Sequence, residues 1–131
     1  MASEETELTP SVESPGLARA FLRELLDRWD CRDTGDVAVL LTSEVVSNAV
    51  VHAGGPVVLG VRWLEPTGVL RVEVTDRSTH RPELLHPPAE ATGGRGVLLV
   101  ETLASRWGSM PAAAGKVVWF EVPAVRRSNH T

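Results

Sequence analysis

A two-layer α/β sandwich, with three helices packed on one face of a mixed, largely antiparallel sheet, is the fold class this sequence predicts. Three observations carry it: two amphipathic helical segments in the first half, a hairpin of β-branched runs in the middle, and another such run near the end. The 131 residues suit one domain with one core, and an apolar fraction of 43% is ordinary for a globular chain. At this length roughly two-thirds of the unfolded chain's surface can be buried without a disulfide or structural metal. The single cysteine, Cys31, excludes an internal disulfide and any multi-cysteine zinc site.

Residues 1–13 read as a polar N-terminal tail that ends in a short edge strand near Leu8 to Val12. Ser14 then serves as a helix N-cap, with Pro15 at the first helical position, where its missing N–H costs nothing. Leu17, Ala18, Phe21, Leu22, Leu25, Leu26 and Trp29 recur at helical spacing, and Arg19, Arg23 and Asp27 fall on a far, solvated side. Asp33, Thr34 or Asp36 can cap a second helix that runs to about Ala53, where Gly54-Gly55-Pro56 stops it. Val57 to Leu64 and Val69 to Thr75 are β-branched runs joined by the turn-rich Glu65-Pro66-Thr67-Gly68. Residues 77–92 hold three prolines and little periodicity, the mark of a functional or mobile loop. Gly93-Gly94-Arg95-Gly96 opens a third helix from Val97 to about Ala104, a strand follows from Val117 to Val122, and residues 124–131 form a C-terminal tail.

The second helix violates its own pattern. At about 100° per residue, Glu44, Asn48 and His52 share one stripe, with Val37, Leu41 and Val45 within or beside it. A carboxylate and an amide therefore project from the semi-buried side, and Glu44 needs either a partner or water in a cleft. The second strand repeats the anomaly, since Leu70, Val72 and Val74 alternate onto one face and Asp76 is next in that phase. The glycine cluster adds a third signal, because free N–H groups at a helix start form a natural anion site.

Other chemistry is excluded or weak. The acidic start Met-Ala-Ser-Glu-Glu-Thr-Glu is the reverse of a signal peptide, and no apolar run approaches a membrane span, so a cytoplasmic protein is expected. Thirteen basic against seventeen acidic side chains, without a basic cluster beyond Arg126-Arg127, argue against direct nucleic-acid binding. Lys116, the one lysine, stands in Ala-Gly-Lys-Val without the glycine and hydroxyl residues of a phosphate-binding P-loop. His80 and His86 lack a third metal ligand. Ser43, Ser47 and Ser78 lack the setting of a hydrolase nucleophile. Trp63 and Trp119 read as packing residues.

Glu-x3-Asn-x3-His on a helix, Asp at a strand end, a long loop and Gly-x-Gly opening a helix together resemble the histidine-kinase-like (GHKL) ATPases. Within that superfamily the chain is most similar to the anti-sigma-factor serine/threonine kinases. Leu41-Thr42-Ser43-Glu44-Val45-Val46-Ser47-Asn48-Ala49-Val50-Val51-His52-Ala53 resembles their N box. Val74-Thr75-Asp76 resembles the start of their first glycine box, and Thr92-Gly93-Gly94-Arg95-Gly96-Val97-Leu98-Leu99-Val100 the second. The likeness covers residues 14–123, read as one ATPase domain with a lid at about 77–92.

The resemblance implies a Bergerat-type fold with ATP held between helices and lid. It makes Glu44 the general base and Asn48 the ligand of Mg2+ on the ATP phosphates. It makes Asp76 the acceptor for the adenine amine, and gives the phosphates to Gly93, Gly94, Arg95 and Gly96. His52 and Ser78 are secondary candidates, His52 mainly structural. The sequence departs from the pattern in Asp76-Arg77-Ser78-Thr79-His80, which has no glycine, and in Val117 and Val118, where the family often supplies a threonine. The implied activity is phosphorylation of a serine on an anti-sigma antagonist, with a sigma factor as second partner and a homodimer as assembly. Two other readings remain open: a noncatalytic binding module that sequesters a partner, and an ATP-hydrolysing sensor.

Overall fold

The computed structural model describes residues 2–31, 35–52, 55–64, 68–76, 104–112 and 115–124. In chain order these form β1 (Ala2–Leu8), α1 (Ser14–Arg28), α2 (Gly35–His52), β2 (Val57–Leu64), β3 (Val69–Asp76), β4 (Arg106–Ala112) and β5 (Gly115–Pro123). The lid, the second glycine box and the helix expected from Val97 lie outside the described residues, as does nearly all of the C-terminal tail.

The five strands make one sheet in the order β1-β2-β3-β5-β4, and every described ladder is antiparallel. Val61, Val72 and Phe120 stand side by side across its middle. Alternation sets one face inward: Val57, Leu59, Val61 and Trp63 from β2, Leu70, Val72 and Val74 from β3, and Val118, Phe120 and Val122 from β5 are all buried. Against that face α2 lies on β2, β3 and β5, and α1 packs on α2 and reaches β1. Ala18, Leu22, Leu25 and Leu26 of α1 and Ala38, Leu41, Val45, Val46 and Ala49 of α2 complete the core. The two-layer sandwich is thus present, and both helices among the described residues lie on one face of the sheet.

Several local expectations change. The edge strand lies at Ala2–Leu8 rather than near Leu8 to Val12, and Val12 is 96% exposed. Its pairing with β2 is backbone to backbone, so an acidic strand serves as well as an apolar one, and its charges discourage a further strand from adding. Ser14 is not the cap of α1. Glu13 holds that position without a side-chain hydrogen bond, and the Ser14 hydroxyl instead donates to the Thr9 carbonyl (2.6 Å) and accepts from the Ser11 N–H (3.2 Å). Those bonds tie down the β1–α1 connection.

Leu17 is exposed, sitting roughly 120° around α1 from the centre of the apolar stripe. Arg19 is not a solvated residue, because its Nη1 donates to Ser43 Oγ on α2 at 2.8 Å. The end of α1 was not foreseen: Asp30 takes φ 60°, and the N–H groups of Asp30 and Cys31 close onto the carbonyls of Asp27 and Leu26. β4 was also unforeseen. Its run Arg-Trp-Gly-Ser-Met-Pro-Ala lacks strand character, but Pro111 is tolerated on an edge strand, and Gly108 leaves space for the Trp119 ring.

Candidate functional site

α2 supplies two of the candidate residues. Leu41, Val45 and Ala49 anchor one side in the core, and one helical turn separates Glu44 from Asn48 at the edge of that buried arc. Both side chains are half-buried. The structure therefore bears out the placement of a carboxylate and an amide on the semi-buried stripe. The neighbouring hydroxyls have other surroundings: Ser43 accepts from Arg19, and Thr42 is fully buried toward the core. His52 closes α2, and Ser78, Gly93, Gly94, Arg95 and Gly96 lie outside the described residues.

The chain leaves α2 at His52 and enters β2 at Val57, and Val58 pairs with Thr75 of β3. His52 is thus five residues from the end of the sheet where β3 finishes and β5 begins, and α2 packs on β2, β3 and β5. Asp76 closes β3 in the inward phase, 2% exposed, as the alternation predicts.

Its Cα partner across the β3–β5 ladder is Lys116, itself 8% exposed. Lys116 Nζ stands 4.0 Å from Asp76 Oδ2. The inner layer at this end of the sheet therefore holds a buried carboxylate and a buried ammonium side by side. Sequence reasoning weighed Lys116 only against the P-loop and passed it over. The signal was available in the alternation of β5, where Val118, Phe120 and Val122 point inward and Lys116 is the next residue back in the same phase.

The opposite face of the sheet carries a different charged group. Arg71 donates from Nε to Glu73 at 2.8 Å and from Nη1 to Glu121 at 2.7 Å, and its guanidinium lies 4.1 Å from the centroid of the Trp119 ring. Partial burial works against the Arg71 charge, but the bonds to Glu73 and Glu121 outweigh it and hold the guanidinium protonated above its ordinary range. Trp119 is thus a packing residue, as expected, covered by Arg71 and backed by Gly108, where an added Cβ would lie 3.0 Å from the ring.

Residues 8–122 match the family model described as the histidine kinase-like ATPase domain. The chain belongs to this family. Among solved structures, the RsbU and RsbW domains of Rv1364c from Mycobacterium tuberculosis share 22% identity with a TM-score of 0.73, covering 97% of this chain and 34% of that one. The blue-light activated histidine kinase of Erythrobacter litoralis EL346 shares 25% identity with a TM-score of 0.57, over 87% of this chain and 42% of that chain. The catalytic domain of histidine kinase ThkA shares 18% with a TM-score of 0.53, over 95% and 99%. The chain thus spans about a third of the first of these structures and under half of the second, and the likenesses to the first and third concern fold. No curated protein matches the sequence.

Family membership gives the site its frame. A GHKL ATPase domain implies ATP, typically with Mg2+, and the fold is that of a kinase or ATPase. Asn48 offers the hard amide oxygen that Mg2+ accepts, and such an ion keeps most of its other positions for water and phosphate. Among the described residues no helix is long and apolar enough to cross a membrane.

Proposed function

We propose that this chain is an ATP-dependent protein serine/threonine kinase of the anti-sigma-factor type, which phosphorylates an antagonist protein and sequesters a sigma factor. The observation that carries the reading is the pairing of Glu44 and Asn48 on the half-buried stripe of α2, a helix that packs on β2, β3 and β5, together with the inward Asp76 that closes β3. The likeness to a structure that includes an RsbW domain supports the anti-sigma reading. A homodimer belongs to the proposal as its assembly.

In this reading Asp76 accepts from the adenine amine, and Gly93, Gly94, Arg95 and Gly96 hold the phosphates. Asn48 holds Mg2+, which neutralises charge on the triphosphate when bound. Glu44 takes the proton of the substrate hydroxyl as its oxygen bonds to the γ-phosphorus, and the bond from that phosphorus to the bridging oxygen breaks to release ADP. Half-burial suits the base, since the carboxylate stays reachable while water around it is reduced. His52 and Ser78 remain secondary candidates at the edge of this scheme.

The test is transfer of label from γ-labelled ATP to a cognate antagonist, beside calorimetric titration with ATP in the presence and absence of Mg2+. Magnesium-dependent binding lost in Asn48→Ala, with transfer lost in Glu44→Ala, is the expected result. Binding without transfer to any cognate antagonist overturns the kinase half. The second reading, a noncatalytic module that regulates a partner, is favoured by one observation: Asp76-Arg77-Ser78-Thr79-His80 carries no glycine where the family's first glycine box has two. Absence of ATP binding at millimolar concentration would establish it over the first.

A further inference from the structure

We propose that Lys116 is a positioning and specificity residue of the base site: it holds the Asp76 carboxylate and donates to a ring nitrogen of the adenine whose amine Asp76 accepts. The proposal rests on the reading of Asp76 as the residue that meets the adenine amine. Three observations carry it. The β3–β5 register makes Asp76 and Lys116 direct neighbours. Both are inward-facing and almost fully buried, so their charges lie in the layer between sheet and helices rather than at the surface. Their closest charged atoms stand 4.0 Å apart, an ion pair longer than a hydrogen bond.

At that separation neither group is exhausted by the other. An ammonium carries three donors and a carboxylate about four acceptor positions. Side by side they present an acceptor and a donor, the complement of an adenine edge, where the donating amine is flanked by accepting ring nitrogens. For stability alone an apolar pair would serve this interior at least as well as a buried ion pair. Arginine supplies the other twelve of the thirteen Lys and Arg residues, yet the compact, rotatable ammonium stands here, where a planar guanidinium fork would impose its own geometry.

The test is calorimetric titration of the full chain with ATP, 1-deaza-ATP, 7-deaza-ATP and purine riboside triphosphate, which lacks the amine. The wild-type protein should bind one of the two deaza analogues about tenfold more weakly than ATP, the loss of one hydrogen bond to a charged donor. Lys116→Met should remove that preference while still favouring ATP over the amine-free analogue. The charge-neutral pair Asp76→Asn/Lys116→Met guards against a folding defect caused by an isolated buried carboxylate, and it too should lose the ring-nitrogen preference. A wild-type protein indifferent to both deaza substitutions overturns the proposal, as does a preference that survives in either variant. Failure of the wild-type protein to bind any of the nucleotides overturns both this proposal and the reading of Asp76 beneath it.

Discussion

The two faces of the sheet each hold a charged group, and they are built differently. On the outer face, Arg71, Glu73 and Glu121 meet at 2.7–2.8 Å under a stacked Trp119. On the inner face, Asp76 and Lys116 are both buried yet stand 4.0 Å apart. Charge-assisted bonds at ideal length are what a cluster needs when its task is to hold strands together. A deeply buried pair beyond hydrogen-bond distance is a poor staple, because desolvation offsets most of its attraction. The outer group is thus built to fasten strands, while the inner one is the longer ion pair on which the proposed base site rests.

That contrast can be broken or sharpened by substitution. The largest effect is expected on α2, where Glu44→Ala should lower phosphoryl transfer roughly 10²- to 10⁴-fold, the usual contribution of a general base, and leave ATP affinity nearly unchanged. Labelled-ATP transfer set against calorimetry checks it, and equal loss of both would contradict the division of roles.

Next comes Asp76→Ala, which strips the carboxylate from a buried ammonium. It should destabilise the fold by about 3–5 kcal/mol in urea denaturation as well as weaken nucleotide binding. The neutral pair Asp76→Asn/Lys116→Met should recover most of the stability, with nucleotide binding weaker than wild type but still measurable. On the outer face, Arg71→Met should cost about 1.5–3 kcal/mol by the same method, since Glu121 loses a charged donor, with nucleotide affinity unmoved. A large change in affinity there would erase the distinction between the faces.

Gly108→Ala should cost roughly 1–3 kcal/mol in a thermal melt, as the Trp119 ring must shift to admit the methyl group. The smallest effect belongs to Arg62, half exposed and 3.9 Å from Glu73. Replacement by alanine should stay within about 1 kcal/mol, as for other surface pairs.

How much was legible in the sequence follows the range of the forces involved. The stripe of Glu44 and Asn48 and the inward phase of Asp76 were readable because helix and strand periods are local properties of the chain. The edge strand at Ala2–Leu8 was not, because its formation depends on the unpaired edge of β2, a partner some fifty residues away in sequence. β4 escaped for the same reason, with Gly108 and Pro111 arguing against a strand until Trp119 and the edge position accounted for them.

Local chemistry, then, determined that a carboxylate and an amide share the half-buried stripe of a helix and that a strand ends on an inward aspartate. Only the tertiary structure decided which residue that aspartate meets. Lys116 lies forty residues further along, and no period in the sequence brings the two together. The β3–β5 register does so, because hydrogen-bonded ladders fix neighbours by alignment of the backbone and not by distance along the chain. The same ladder gave Arg71 its bond to Glu121, fifty residues on, and so assembled the charged group that fastens the outer face of the sheet.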